Sequence, residues 1–415
     1  MLIANMRKPS VGIIFLTVFI DLIGFGIVIP LLPIYGKSLH ASGLELGAVL
    51  SVYSLMQFVF GPLLGGLSDR IGRRPVLLLS TAGSAISYVI FALGSAHSGQ
   101  AALVTIMVSR AFAGICGANI TVAQAYIADI TPPADRSRKM GLIGMAFGLG
   151  FILGPALGSQ AAKLWGTTGP GWVAAAICAV NFILAFAILP ESWKPSSEHA
   201  KPRPHVDQWI HTLTLPKVGL LINLFFLATF CFTCFETTMG LLICQRFNIE
   251  VQSARALTLQ GYLFAYAGVI GALVQGGAVG RLVKLMGEPK LIGFSLLLTG
   301  ATLAALPFLH GWAAWLSILP VLSIGTSLTR PPLFGMISNL TPAHEQGVTI
   351  GVGQGMGALA RIIGPMVLVP VFYWDTKVPY LFCGALSLVA GLIAWIRLSA
   401  GYVPGGGVLE QKTGA

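Results

Sequence analysis

Charge is what this sequence has least of. Asp, Glu, Lys and Arg make up 9% of its 415 residues, against about 25% in soluble globular proteins. With 55% hydrophobic residues, 51 glycines and a mean hydropathy of +0.83, a set of soluble domains is excluded and a polytopic helical membrane protein is indicated. Short alternating segments are lacking too, which excludes a transmembrane β-barrel built of ~10-residue strands. The formal charge of +11 has no solvated basic surface to sit on, so nucleic-acid binding is not expected. Cysteine is sparse: Cys116, Cys178, Cys231, Cys234, Cys244 and Cys383 are scattered, mostly within apolar runs. Cys231-x-x-Cys234 has no second pair or nearby His, so it reads as core packing and no metal site is expected. The opening MLIANMRKPS shows no small-residue cleavage site, so the first apolar run reads as a retained helix.

What is there is length in apolar runs. A span needs roughly 20 mostly apolar residues, and twelve such spans are expected at 11–35, 44–67, 75–95, 101–128, 140–163, 171–190, 216–243, 256–280, 290–308, 311–337, 347–373 and 378–399. The polar, proline-rich stretch that follows the sixth divides the chain. Residues 1–190 form an N-terminal six-helix bundle, 191–215 a cytoplasmic linker, 216–399 a C-terminal six-helix bundle and 400–415 a tail. Lys and Arg fall 17 to 5 on alternate sides of the spans, which places both termini in the cytoplasm.

The halves repeat each other. ADITPPADRSRKMG (Ala128–Gly141) aligns with SNLTPAHEQGVTIG (Ser338–Gly351) at an offset of 210, which also carries Gly154-Pro155 onto Gly364-Pro365. GGLSDR (Gly65–Arg70) faces GGAVGR (Gly276–Arg281) at 211. A parallel repeat of six spans is an architecture of two-halved secondary transporters, with a substrate site near the midplane.

The scarce charges are concentrated. GPLLGGLSDRIGRRP (Gly61–Pro75) holds Asp69, Arg70, Arg73 and Arg74 between apolar runs. Gly65 and Gly66 let the second span approach a neighbour closely. Asp69 is expected to face the N-terminus of the eleventh span near Gly347, where free amides and the helix dipole favour a carboxylate. Arg73 or Arg74 is expected to pair with Asp129. Such contacts would hold the cytoplasmic side closed. The copy has Gly280 where Asp69 would stand, so this latch is expected to be asymmetric.

Through Gly65, Asp69, Arg70, Gly72, Arg73 and Arg74 the stretch fits the pattern G-x-x-x-D-[RK]-x-G-[RK]-[RK], and the whole chain resembles the major facilitator superfamily, in particular the drug:proton antiporter group that includes tetracycline exporters. DLIGFGIVIPLLP (Asp21–Pro33) resembles the group's opening pattern, and RAFAGICGA (Arg110–Ala118) its pattern in the fourth span. GLGFILGPALG (Gly148–Gly158) resembles the antiporter signature, with Gly150, Gly154, Pro155 and Gly158, in a span expected to pack against the eighth. The resemblance implies an all-α fold of two pseudo-symmetric six-helix bundles, working as a monomer in a bacterial inner membrane. It implies a proton gradient as the driving force, no cofactor, and export rather than uptake.

In that fold spans one, four, seven and ten line the central cavity, and they carry Asp21, Arg110, Glu236 and Arg330; Arg361 stands on span eleven. Intramembrane ionisable groups are functional candidates by default. A carboxyl group that alternates between an apolar surrounding and a guanidinium neighbour binds and releases a proton. Glu236 is the favoured titrating acid, and Asp21 with Arg110 is either a coupled site or a structural ion pair. Gln57, Asn119, Gln124, Gln260, Gln275 and Gln354 are candidate cavity polar groups, and Tyr53, Phe232, Phe235 and Phe264 candidate aromatic lining; each taken alone reads first as a structural bond, packing or lipid contact.

The resemblance departs in spans three and nine. Tetracycline exporters of the group have acids there, whereas Ser84–Tyr88 and Leu291–Leu309 have none, which speaks against a metal–tetracycline complex as cargo and leaves a related organic compound. The expected function is a proton-coupled antiporter exporting a small organic compound or drug by alternating access. The alternative is a carrier importing an organic anion held by Arg330 and Arg361. A membrane enzyme or sensor is remote: seven His without ligand spacing offer no catalytic cluster, and the tail is too short for a signalling domain.

Overall fold

An apolar segment in a bilayer must satisfy its own backbone polar groups, and a helix does so within one segment. The computed structural model describes residues 9–28, 32, 43–117, 119–193, 205–249 and 254–399, and among them there is no strand. Outside the described residues lie most of Ile29–Pro33, the linker from Lys194 to Pro204 and the tail. So do Arg7, Lys8, Lys37, Lys194, Lys201, Arg203 and Lys412 of the charge count, and the side chains of Arg255 and Gln260.

A helix answers each expected span. The first three are α1 (Val11–Val28), α2 (Gly43–Ile71) and α3 (Arg73–Ser95). The fourth is broken in two, α4 (Gly99–Cys116) and α5 (Asn119–Ile130). Next come α6 (Arg136–Trp165) and α7 (Gly169–Ile188), and a short helix before the second half, α8 (His205–Thr214). The seventh is α9 (Pro216–Arg246). The eighth is α10 (Ala254–Leu273) and α11 (Val279–Met286), joined by a π-turn at Val274–Ala278. The last four are α12 (Glu288–Ala305), α13 (Trp312–Leu340), α14 (Gln346–Trp374) and α15 (Val378–Ser399). Ten stretches among the described residues are long and apolar enough to cross a membrane; one, Pro133–Ile188, contains both α6 and α7, and α2 is not among the ten.

The break in the fourth span falls at Gly117, beside the residues of interest. Its carbonyl accepts a hydrogen bond from Gln57 Nε2 at 3.1 Å. A side chain from α2 thus satisfies backbone that the interruption would otherwise leave bare at membrane depth.

The chain groups into two units. The first is Met1–Ile130, Met145–His205 and Ala343–Ile362; the second is Thr131–Gly144, Val206–Pro342 and Ile363–Ala415. Each unit therefore takes in the beginning of one helix from the other half of the sequence, α14 in the first and α6 in the second. These two segments are each other's copies at the offset of 210. In the first unit α3 packs on α4 and α7, and α1 on α7, around Ile27, Tyr88, Phe91, Ile106 and Cys178. In the second, α12 packs on α13 and α15.

Two glycines mark equivalent corners of the repeat. Gly72 (φ +99°) precedes α3 and Gly287 (φ +78°) precedes α12, a backbone region that L side chains rarely adopt. They equate Arg73 with Glu288, a reversal of charge at the first residue of a helix.

Candidate functional site

The charged stretch between α2 and α3 forms one connected cluster in the first unit. Asp69 Oδ1 accepts the Gly347 amide at 3.1 Å and Oδ2 the Val348 amide at 3.0 Å. These are among the first amides of α14, which have no partner inside the helix and sit at the positive end of its dipole. Arg73, wholly buried, donates from Nη1 to Asp69 Oδ1 at 2.5 Å and to Ser68 Oγ at 2.7 Å, and from Nε to Asp129 Oδ2 at 3.0 Å. Asp129 also accepts from Ser192 Oγ at 3.1 Å. A buried guanidinium is tolerated here because two carboxylates and a hydroxyl answer it.

Close approach makes the cluster possible. A Cβ added at Gly65 would overlap the Gly347 carbonyl, and one at Gly351 would come within 2.6 Å of Pro62 Cα. Gly61, Gly65, Gly347 and Gly351 therefore form the crossing of α2 with the start of α14, small residues letting two backbones meet. Arg70 is exposed and stands outside the cluster. Arg74 turns to the end of α7, donating to the Leu189 carbonyl at 2.7 Å and the Phe186 carbonyl at 2.9 Å. Of the two expected partners for Asp129, the structure selects Arg73.

Glu191 falls in the linker by sequence, where nothing in its neighbourhood points to a role. Its carboxylate accepts the amides of Arg73 at 2.9 Å and Arg74 at 3.0 Å, capping α3 from the end of α7. It also lies where a side chain at Gly72 would project. The one signal in the sequence is its sign: an acid directly after a span, on the side where Arg73 and Arg74 emerge.

The second unit carries a counterpart that the sequence does not reveal. Ser137 Oγ donates to Glu288 Oε1, both groups buried. Arg136 donates from Nη1 to the Ser338 carbonyl at 2.9 Å and to Asn339 Oδ1 at 3.2 Å. A Cβ at Gly335 would overlap Ser137 Oγ, so α13 and the start of α6 also meet through a glycine. Gln275 lies against Gly144, a packing role for one candidate cavity amide.

Within the first unit, Gly150, Gly154 and Gly158 lie against Leu22, Gly26 and Ile27 of α1. There α1 presents its own glycine at the crossing: a Cβ at Gly26 would meet the Gly150 carbonyl at 2.5 Å. Pro155 is half-buried beside them.

A second polar group lies deeper in the first unit. Asp21 accepts from Asn119 Nδ2 at 2.9 Å, with the Cys178 thiol at 3.9 Å. Gln57 donates to Tyr53 Oη at 3.1 Å. Gln354 Nε2 donates to Gln124 Oε1 at 2.7 Å. Arg361 is half-buried on α14. Arg110 is wholly buried, its guanidinium 4.8 Å from the Tyr53 ring centre and 5.8 Å from that of Phe25. The anticipated ion pair between Asp21 and Arg110 is not formed, because Asp21 turns to Asn119 and Cys178 while Arg110 lies over the rings.

The remaining candidates are in the second unit. Glu236 is exposed in the middle of α9, and Phe235 beside it is buried, edge-on to Phe264. Arg330 lies over the Phe225 and Phe334 rings at 5.6 and 5.8 Å. Among the described residues no group of His, Cys, Asp and Glu could hold a metal ion.

Comparison with known proteins identifies the family. The family model described as the Major Facilitator Superfamily matches residues 14–365 and 276–412. A class E tetracycline resistance protein of Escherichia coli is 34% identical, over 91% of this chain and 92% of that one. Major facilitator superfamily domain-containing protein 10 of Bos taurus is 29% identical, over 91% of each chain. Among solved structures, the human organic anion transporter MFSD10 superposes with a TM-score of 0.81 at 24% identity, covering 94% of this chain and 100% of that one.

Proposed function

The chain belongs to the Major Facilitator Superfamily and is a membrane transporter of small molecules, and on that premise we propose that it is a proton-coupled antiporter exporting a small organic compound. The observation that carries the reading is Asp21, a carboxyl group inside a span that is bonded to an amide and a thiol and ion-paired to no cation among the described residues. Such a group is free to exchange a proton as its surroundings change. Glu236, exposed on α9, is the second acid of the cycle. A proton from outside loads these acids, cargo leaves, and the return of the empty carrier delivers the proton to the cytoplasm. Both termini face the cytoplasm of a bacterial inner membrane, and a monomer without cofactor is sufficient for the cycle.

The Asp69–Arg73–Asp129 cluster acts as the cytoplasmic gate. Its bonds to α14 exist only while the start of α14 rests on α2, so they bias the alternating-access equilibrium toward one state. The tetracycline resistance relative supports the outward direction, since a carrier protects a cell by removing a drug. The acid-free spans three and nine argue for a cargo other than a metal–tetracycline complex.

The test is transport in proteoliposomes under an imposed pH gradient, with a cargo found by a thermal-shift screen of drugs, dyes and metabolites. An opposing proton gradient is expected to drive cargo uphill, and Asp21→Asn with Glu236→Gln to abolish that drive while leaving downhill exchange. Uphill transport that persists in the double variant would sink proton coupling through these acids.

A further inference from the structure

Arg110 presents a problem that the proton-coupling role does not solve. Its guanidinium is wholly buried, and among the described residues none of its three nitrogens has a hydrogen-bond partner. Intramembrane Arg is costly unless something answers the charge, and a cation–π contact to Tyr53 and Phe25 answers only part of it, leaving every N–H donor unmet. Compare Arg73, equally buried, which is met by Asp69, Asp129 and Ser68. The nearby acid is committed elsewhere, Asp21 being held by Asn119 and Cys178.

We propose that Arg110 is the docking point for the anionic group of the cargo, and that the cargo is an aromatic carboxylate or a similar planar organic anion. The guanidinium's five N–H donors in a rigid plane match a carboxylate in bidentate fashion. The rings that flank the guanidinium supply the complementary half of the site. Phe25 and Tyr53 stand with centroids 4.9 Å apart at an interplanar angle of 40°, an aromatic wall beside the charge on which a flat ring stacks. Gln57 sits on the same helix face as Tyr53 and bonds its hydroxyl, which fixes the wall. The site thus selects by charge at Arg110 and by flatness at Phe25 and Tyr53.

The inference rests on the transporter reading and sharpens its cargo, yet equilibrium binding tests it without any gradient. Full-length protein in lipid nanodiscs is titrated with benzoate, salicylate and 1-naphthoate, and with the corresponding neutral amides. The carboxylates are expected to bind, and each amide to bind roughly tenfold to hundredfold more weakly, the size of a charge-assisted hydrogen-bond pair. Arg110→Gln is expected to erase the preference for the carboxylate, and Arg110→Lys to retain part of it. Because the acid-against-amide comparison is made on the unaltered protein, a variant that fails to fold leaves the test intact. Equal binding of acids and amides, no binding of any carboxylate, or a preference unchanged in a folded Arg110→Gln protein would each overturn the proposal. If carboxylates bind through Arg110 but no proton gradient drives them, the export reading fails and the anion site stands.

Discussion

The two units solve the same docking problem with different chemistry. In the first, the start of α14 is held by Asp69, whose carboxylate bonds two backbone amides and the buried Arg73. In the second, the start of α6 is held by the Ser137 hydroxyl on Glu288 and by Arg136 on the Ser338 carbonyl and the Asn339 amide oxygen. The receiving positions are copies, since Ser137 and Gly347 stand 210 residues apart. The acids are not: Asp69 ends α2, whereas Glu288 begins α12 at the position that Arg73 holds in the other half. Where the first unit has a network of opposite charges, the second has a carboxyl group on a hydroxyl, a bond that survives protonation with donor and acceptor exchanged. The repeat keeps which segments dock, and not what holds them.

Removing the charge from the first cluster is the sharpest way to break this comparison. Asp69→Asn keeps one acceptor for the α14 amides but leaves Arg73 with a single carboxylate, a loss of roughly 2–3 kcal/mol. Amide exchange at Gly347 and Val348 is expected to accelerate about thirtyfold to a hundred-and-fiftyfold, and transport to fall while cargo binding is retained. Unchanged exchange at those two amides would show that glycine packing at Gly65 and Gly347, and not charge, holds α14. Arg73→Lys is the next in size. Lysine keeps the charge but cannot reach Asp69, Ser68 and Asp129 from one rigid plane, so about 1–2 kcal/mol is expected to go, read as a smaller acceleration at the same amides.

Much of this is legible in the sequence. Long apolar runs announce twelve spans because membrane helices need length and hydropathy more than specific partners. Asp69 can be placed against Gly347 because a carboxylate, small residues and a helix start occur in register in two copies. The reach of the sequence ends where partners are chosen among several neighbours. Glu191 looks like linker because capping α3 depends on how the chain returns after α7. That Gly150, Gly154 and Gly158 meet α1 is not legible, because a glycine face says that something comes close, not what. Asp21 and Arg110, natural partners by sign, go separate ways once Asn119 and two aromatic rings are nearer. The Ser137–Glu288 pair is invisible, since the repeat alignment sets Gly280 against Asp69 and the compensating acid stands beyond it.

Ser137→Ala tests the second cluster and is expected to cost less. It leaves Glu288 with one hydrogen bond fewer at a buried position, about 1 kcal/mol or fivefold, and the acceleration of exchange should fall on the first-turn amides of α6, not on Gly347. Glu288→Gln preserves an acceptor for the hydroxyl and is expected to change exchange less than Ser137→Ala. If it instead matches Asp69→Asn in size, the second cluster is held by charge after all and the contrast between the units dissolves.

The smallest effect is expected at Glu191, which supports the first cluster from the side of α3. Its carboxylate accepts the amides of Arg73 and Arg74 and so fixes the first turn of α3, from which Arg73 reaches Asp69. Glu191→Gln keeps an acceptor oxygen and loses the favourable interaction of a negative charge with a helix N-terminus, about 0.3–1 kcal/mol. Exchange at Arg73 and Arg74 should rise up to roughly fivefold, and exchange at Gly347 and Val348 should rise by less. Equal acceleration at all four amides would mean that the cap and the Asp69 contacts open as one unit, so that Glu191 belongs to the cluster itself and not to its support.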